Sequence, residues 1–562
     1  MKKKLTLILM ISITIGILVS CKSNLTPLAS RYVKAEPQPL ELVAGKVPAT
    51  IHATFPADWF DKNLNLTVIP ILRYEEGEAW GTSYSFQGEK VAGNGQSIPQ
   101  KEGANVVIKS SFDYVPEMQS SHLYLTFKAK RGNKTVELPE VMIGDGVLAT
   151  AALLNLNAET PAIAADRFQR MLKEAYNTNI MFLIQQAELR ASELNKTEVS
   201  DWKNKVEEAS SAGKPVEIEV ASYASPDGGY KLNEKLAEQR EINTSKYLSQ
   251  ELKNANTVIN TRYTAQDWEG FKELVEKSNI QDKNLILRVL SMYTDSEQRE
   301  REIKNISAVY SALTEEILPQ LRRSRLTATI EIIGKSDDEL VSTALSNPQS
   351  LNVEELLYAA DIISSVKDKE FIYKKVTELY PRDPRGYNNL GVIAYIKNDF
   401  TTAESLFNQA NQMAGGLPEA NLNLGLIALS QGDKDKAEQF FGNAAGVPEL
   451  GNAMGYLAVL EGNYAKGEQS FGKTINNNAA VAQIMAKNYN KAQNTLNAID
   501  NPNAVTYYLK AIVGARTNNL SNVADNLKKA VSLDPQIATQ ALKDVEFSKF
   551  VSNSKFLEAI LR

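Results

Sequence analysis

Residues able to do covalent or metal chemistry are scarce in this sequence of 562 residues. It holds one cysteine, Cys21, and two histidines, His52 and His122. No Cys/His zinc site can be assembled from that set. A Cys/His or Ser/His catalytic pair would have to recruit one of the two histidines, and neither stands beside a motif that would use it; both read as ordinary strand or loop residues. The patterns GxxxxGK[ST], GxSxG and HExxH are absent, and the Ser-x-x-Lys at Ser200 to Lys203 lacks the Ser-Asp-Asn and Lys-Thr-Gly partners that would give it meaning. Acidic residues are plentiful, but no spacing singles out a carboxylate pair of the kind that hydrolyses glycosides. One stretch is left, Glu217 to Arg240, in which Ser225, Asp227, Asn233 and Arg240 follow an alternating strand. Arginine can grip a carboxylate in two places at once and lysine cannot, so these residue types suggest binding. The expectation is a non-enzymatic protein with no cofactor and no metal.

The elements that must position this stretch follow from the pattern of the chain. With 43% hydrophobic and 23% charged residues, the length suits three or four packed domains. The near balance of 62 Lys and Arg against 67 Asp and Glu gives no electrostatic reason to expect nucleic acid. Residues 40–147 read as short strands with Gly and Pro punctuation, a β-sandwich; Val47 to Phe55 alternates, and Leu123 to Lys130 turns through Gly132 into Thr135 to Leu138. Residues 148–176 read as a connector. From 177 to 335 strands and helices alternate: Asn179 to Leu183, a helix Val199 to Ala209, the strand Val216 to Val220, a long helix Leu232 to Leu252, and strands Val258 to Tyr263 and Leu326 to Ile333. That is an α+β sandwich, a sheet with helices on one face.

Beyond residue 353 the sequence is helical and repeats itself. Gly391 and Gly425 are 34 residues apart, as are Ala403 and Ala437, Phe407 and Phe441, and Pro384 and Pro418. A shortened copy carries Pro448, Gly455, Gly467 and Phe471. Small residues would let paired helices approach, the Phe would fill the layer between repeats, and the Pro would stop the second helix. The pattern Asn389-Leu390-Gly391-x-x-Ala394-Tyr395, with Ala403-Glu404-x-x-Phe407, resembles the tetratricopeptide repeat. The array would run over 353–535 with capping helices at 536–562. Stacked helix pairs of this kind offer a concave groove to protein partners.

At the other end, Lys2 to Lys4, an apolar run from Leu5 to Val19, and Ser20 before Cys21 form an export segment, residues 1–20. The sequence Leu18-Val19-Ser20-Cys21 resembles a bacterial lipobox. That resemblance implies cleavage before Cys21, acylation of its thiol and amino group, and anchoring to the outer membrane by lipid through a tether over 21–39. Residues 22–26 lack the acidic cluster that resembles a surface-export tag, so the expected side is the periplasm.

The stretch Glu217 to Arg240 resembles the OmpA-like domain, a periplasmic module that holds peptidoglycan. Its signature, a strand, Gly-Tyr-Thr-Asp-x-x-Gly and then Asn-x-x-Leu-Ser-x-x-Arg-Ala, aligns without a gap on Tyr223, Gly228, Asn233, Leu236 and Arg240. The ligand implied is diaminopimelate, whose ammonium and carboxylate would meet an acid and a guanidinium. Arg240 takes the guanidinium position, while the family's acid is replaced by Ser225. Asp227 could supply that charge from the same turn, and Asn233 would begin the next helix as a cap-like residue. The form of this turn, with Gln266 to Gly270 and Leu321 to Ser324, resembles the variant in Bacteroidetes envelope lipoproteins that also carry tetratricopeptide arrays. The resemblance implies a tether between envelope and peptidoglycan with a scaffold for protein partners. The alternative is an accessory subunit of a secretion, fimbrial or outer-membrane assembly complex whose module no longer binds the wall.

Overall fold

The computed structural model describes residues 26–561, without the side chains of 307–309. The export segment 1–20 and Cys21 lie outside the described residues. Two compact units are present, one made of the chain up to Ala164 with Val376 onward, the other of Ala165–Lys375.

The first unit begins with strands. Lys46–Phe55 pairs antiparallel with Val33–Glu36 on one side and Ala104–Asp113 on the other, and a second sheet is built on Leu64–Tyr74, Ser121–Arg131 and Lys134–Asp145. Alternation decides which side chains meet, because successive Cβ atoms point to opposite faces. Val47, Ala49, Ile51, Ala53 and Phe55 are buried and share one core with Leu66, Val68, Leu123 and Leu125 of the second sheet. Phe55 stacks on Trp59 and meets Phe60 and Phe86 edge-on. His52 and His122 stand on outward positions of their strands, His122 bonded to Asp145 through Nδ1 at 2.7 Å. The tether expected over 21–39 is part of the fold from Leu28, which is buried, and Val33 pairs with Ala53. Among its described residues, Val33 and Ala35 are the only inward strand residues, too short a pattern to announce a strand.

The same unit continues as antiparallel helix pairs, Pro384–Ile396 with Phe400–Ala414, Pro418–Ser430 with Lys434–Gly442, Leu450–Leu460 with Tyr464–Phe471, Asn477–Met485 with Tyr489–Asn497, and Ala504–Arg516 with Leu520–Leu533. The glycines do what their spacing suggests: a Cβ on Gly391 would lie 2.7 Å from the Phe407 ring, and one on Gly425 only 2.3 Å from that of Phe441. The prolines do something else. Pro384 and Pro418 are the first residues of helices, not the stops of preceding ones, because at that position the missing N–H has no intrahelical partner to lose and the fixed φ is already helical. The helix Val353–Ile362, where the array is expected to start, lies in the unit Ala165–Lys375.

That second unit holds a four-stranded sheet in the order Met171–Met181, Arg323–Ile333, Val216–Tyr223, Thr257–Thr264. The last pair is parallel and the others antiparallel. Its parallel pair is joined through the helix Tyr230–Glu251, the crossover that parallel strands require. Val199, Trp202 and Val206 of the helix Thr197–Ser211, with Leu248, cover Ile180, Ile218, Val220, Leu326 and Ala328. At about 1.5–3 kcal/mol per fully buried apolar side chain, this face holds the sheet to its helices. The sheet begins at Met171, inside the expected connector. Met171 to Ala175 are exposed on an edge strand, so they carry no inward apolar pattern. Between Trp268 and Leu321 a set of helices packs around Phe271, Ile286, Ile317 and Leu321 as a small core of its own.

Candidate functional site

The turn that carries Ser225 and Asp227 joins the strand Val216–Tyr223 to the helix Tyr230–Glu251. Gly229 caps the helix, so Asn233 is not a cap. It sits inside the first turn, buried, and its Nδ2 donates to the carbonyls of Ser225 at 2.9 Å and Gly228 at 2.8 Å. An amide that ties two carbonyls of a loop fixes its shape. Gln266 adds a third tie, donating to Gly228 at 3.0 Å.

Arg240 lies 1% exposed, nearly three turns along the helix. Its Nη1 donates to the Tyr223 carbonyl at 2.7 Å, its Nε to Gln186 at 2.9 Å and its Nη2 to Leu183 at 3.3 Å, with the guanidinium over the Phe182 ring. Burial pulls its pKa down to about 10, the nearby Arg322 adds to the fall, and Asp227 opposes it. It remains charged at neutral pH. Its donors are directed at backbone, so it organises the pocket wall by holding the segment 183–186 against the end of the strand.

The charge pair of the site was not foreseen. Arg322, which reaches in from a position 95 residues after the turn, donates Nη2 to Asp227 at 2.9 Å and Nε to the Ser225 hydroxyl at 3.1 Å, and that hydroxyl donates to the other oxygen of Asp227. Asp227 and Arg322 are 16% and 12% exposed at their side chains. Ser225, Asp227, Gly228, Asn233, Arg240 and Arg322 line a cleft of about 50 Å³. By the measure in which one water needs about 10–15 Å³, it admits a group of a few heavy atoms. Sequence reasoning placed Asp227, Asn233, Ser225 and Arg240 here and missed Arg322, whose only signal was its place in the Leu321 to Ser324 run. The neighbouring Arg323 is paired with Asp267 at 3.0 Å, and Asp267 also caps the helix Trp268–Lys277 through the Gly270 N–H. Burial raises the Asp267 carboxyl despite these partners. Among the described residues no cluster of His, Cys, Asp and Glu could hold a metal, and no helix is long and apolar enough to cross a membrane.

The face expected to take protein partners is the other candidate. In the first unit, the Ala162 N–H donates to Asn423 Oδ1 at 2.7 Å while Asn423 Nδ2 donates to the Ala162 carbonyl at 2.8 Å. Asn389 makes the same two bonds to Ala164, at 2.8 and 3.0 Å, and Asn478 to Asn155, at 2.9 and 2.8 Å. Asn388 donates to the Ala162 carbonyl at 3.0 Å. Two of these first helices have no open face: Ala420 to Leu429 and Asn478 to Met485 are buried throughout. A signal for these asparagines existed, since each stands two residues before a small residue, Gly391, Gly425 or Ala480, of its repeat.

A family model of the tetratricopeptide repeat matches residues 418–447, the repeat holding Gly425, Phe441 and Asn423. No curated protein matches the chain. Among solved structures, a tetratricopeptide repeat protein from Parabacteroides merdae is 17% identical, with 37% of this chain and 90% of that chain covered and a TM-score of 0.28. PilF of Pseudomonas aeruginosa is 15% identical over 38% of this chain and 96% of that one, with a TM-score of 0.29. PilW, described as a widely conserved type IV pilus biogenesis factor, is 14% identical over 40% of this chain and 89% of that one, with a TM-score of 0.23. The chain is multidomain, with a strand-rich N-terminal region and, at its C-terminal end, an all-helical solenoid containing a tetratricopeptide repeat.

Proposed function

We propose that this chain is a non-enzymatic envelope scaffold, anchored in the outer membrane through lipid on Cys21, facing the periplasm, with the unit Ala165–Lys375 acting as an OmpA-like module on peptidoglycan. One observation carries the wall-binding part: Asp227 and Arg322 pair in the lining of a cleft sized for a few heavy atoms. A diaminopimelate end group carries both opposite charges. Its carboxylate can replace Asp227 on the Arg322 fork while its ammonium takes Asp227, so the ion pair opens onto a ligand that supplies both partners. With Arg240 counted, the cleft holds two cations and one acid, which favours the carboxylate end.

Sedimentation with diaminopimelate-type peptidoglycan tests this reading. The native chain should be retained and released by free diaminopimelate, and Asp227→Asn should cut retention at least tenfold. No retention of the native chain would reject wall binding. Cys21→Ala should move the protein out of the membrane fraction, which checks the anchor separately.

A second reading has its own observation. Arg240 is satisfied by three backbone carbonyls, as a guanidinium kept for structure would be. On that reading the chain is an accessory subunit of a secretion, fimbrial or outer-membrane assembly complex, and a stoichiometric complex purified from membranes without wall retention would favour it.

A further inference from the structure

We propose that residues 155–164 are a built-in peptide occupying the ligand face of the repeat array, so that the array accepts an outside protein segment there only when this connector has left. The proposal deepens the scaffold reading and rests on it only in taking the array to be a protein-binding surface.

Three asparagines from three separate repeats make the same paired contact to the connector, one amide giving and receiving a bond from the N–H and C=O of a single residue. An amide in that pose reads an extended backbone and ignores sequence, since it engages groups that every residue but proline carries. Three of the five helix pairs contribute such a reader, and residues two apart in the peptide, Ala162 and Ala164, meet readers one repeat apart. An ordinary interdomain linker needs no such provision. Linkers usually run over the surface with their backbone groups in water, whereas Ala162 and Ala164 are 1% and 2% exposed.

Side chains then set which segments fit. Ala162 joins the core of the array while Ile163 between the two alanines points out, so the face admits small residues at alternate positions and tolerates bulk between them. Glu159 is buried as well. One of its carboxylate oxygens accepts from Asn478 Nδ2 at 2.6 Å and the other is without a hydrogen-bond partner. An acid placed this way is costly to bury, which makes the connector a weaker occupant than an optimised segment would be. An incoming chain that turns as Leu156–Ala158 does, runs on extended with small residues at the Ala162 and Ala164 positions and carries no acid at the Glu159 position meets the same six asparagine bonds without that cost.

The test uses the chain from residue 26 and a labelled synthetic peptide of residues 153–166. The native chain should bind the peptide at least tenfold more weakly than a chain whose residues 162–164 are replaced by three prolines, which have no N–H to give Asn423 or Asn389. Adding Asn389→Ala and Asn423→Ala to that replaced chain should remove the gained binding. Equal binding by the native and replaced chains, or no binding by a replaced chain that keeps its helical circular dichroism, would overturn the proposal. If the replaced chain does not fold, hydrogen exchange decides. In the native chain the Ala162 and Ala164 amides should be protected at least a hundredfold, and the Asn389→Ala/Asn423→Ala pair should abolish that protection with the repeat helices still protected. Unprotected Ala162 and Ala164 amides in the native chain would overturn it equally. Neither readout depends on wall binding or membrane attachment, so this inference and the envelope reading fail independently.

Discussion

The cleft at Asp227 and the groove at Asn423 are both built from side chains suited to holding a ligand, and in both the chain itself makes the contacts. They differ in what is paired. In the cleft a charge meets a charge at partial exposure, Asp227 with Arg322, beside a cavity of about 50 Å³. In the groove neutral amides meet backbone, buried at Ala162 and Ala164. Charged pairs at an open mouth can exchange partners with a ligand that brings both charges, because water and ligand share the cost of separation. Buried neutral pairs can be replaced only by another backbone, since leaving either side unpaired costs about 1–3 kcal/mol for each group. The cleft is therefore suited to reading end groups, and the groove to reading chain conformation.

The largest way to break this contrast is at Arg240, which belongs by chemistry to the cleft and by contacts to the interior. Arg240→Met should destabilise the unit Ala165–Lys375 by several kcal/mol, on the scale of about 1–3 kcal/mol for each carbonyl left without its donor. Three carbonyls lose their donor at once. Urea denaturation followed by Trp202 and Trp268 fluorescence would measure it. Any wall binding should disappear with the fold, which is why Asp227 is the better probe of the ligand. A loss below about 1 kcal/mol would mean that Arg240 is held for a ligand after all.

Charge also anchors one end of the connector, and there pH should separate it from the amide readers. Thr150 donates to the Glu546 carboxylate, which pairs with Arg516, and the buried Asp544 accepts from the Tyr508 hydroxyl. Burial, with Glu546 close by, pushes the Asp544 carboxyl up to about 6. Its folded pKa is then above its unfolded one, so between about pH 4 and 6 the folded state binds more protons and stability falls as pH rises, by about 3 kcal/mol at most once both states are ionised. Tm measured across pH 4–7 should show that decline in the native chain and a flatter profile in Asp544→Asn. Amide protection at Ala162, read by neutral asparagines, should not follow Asp544.

How far these features were legible depended on whether they left a periodic trace. The 34-residue spacing of Gly391, Gly425, Phe407 and Phe441 announced the repeats because close helix packing demands the same residue types each time. The alternation of Val47 to Phe55 announced a strand for the same kind of reason. The proline role was misjudged because helix end and helix start fall within a few residues of each other, and only φ and the absent N–H distinguish them. Two further features left no periodic trace. The connector's place in the groove depends on backbone groups of Asn155, Ala162 and Ala164, which no sequence pattern marks, and Arg322 reaches the cleft only because the strand Arg323–Ile333 pairs beside Val216–Tyr223.

A smaller effect tests the partner exchange directly. Asp227→Asn leaves Arg322 with a neutral acceptor and the Ser225 hydroxyl, at a cost of about 1–2 kcal/mol for a charged hydrogen bond near the surface. Thermal denaturation should show that modest loss while peptidoglycan retention falls at least tenfold. If retention persisted, the carboxylate end would be the only group the cleft reads, and the ammonium would be idle.

The smallest change sharpens the contrast most, because it adds an acid where the OmpA-like pattern has one. The Ser225 oxygen already lies 3.1 Å from Arg322 Nε, so Ser225→Asp would place a second carboxylate on the same guanidinium. Two effects oppose each other: a new charge-assisted bond to Arg322, and repulsion from Asp227, now a bonded neighbour of Ser225. Each is about 1 kcal/mol at this exposure, so net stability should change by less than about 1 kcal/mol. Binding should respond more than stability does. The cleft would go from two cations with one acid to a balanced set, and with Arg322 held by the new acid, Asp227 would be free to take an ammonium. Retention on diaminopimelate-type peptidoglycan should then rise several-fold over the native chain, measured by sedimentation. A fall in retention instead would mean that excess positive charge is what holds the wall, and simple dicarboxylates should then compete as well as diaminopimelate does.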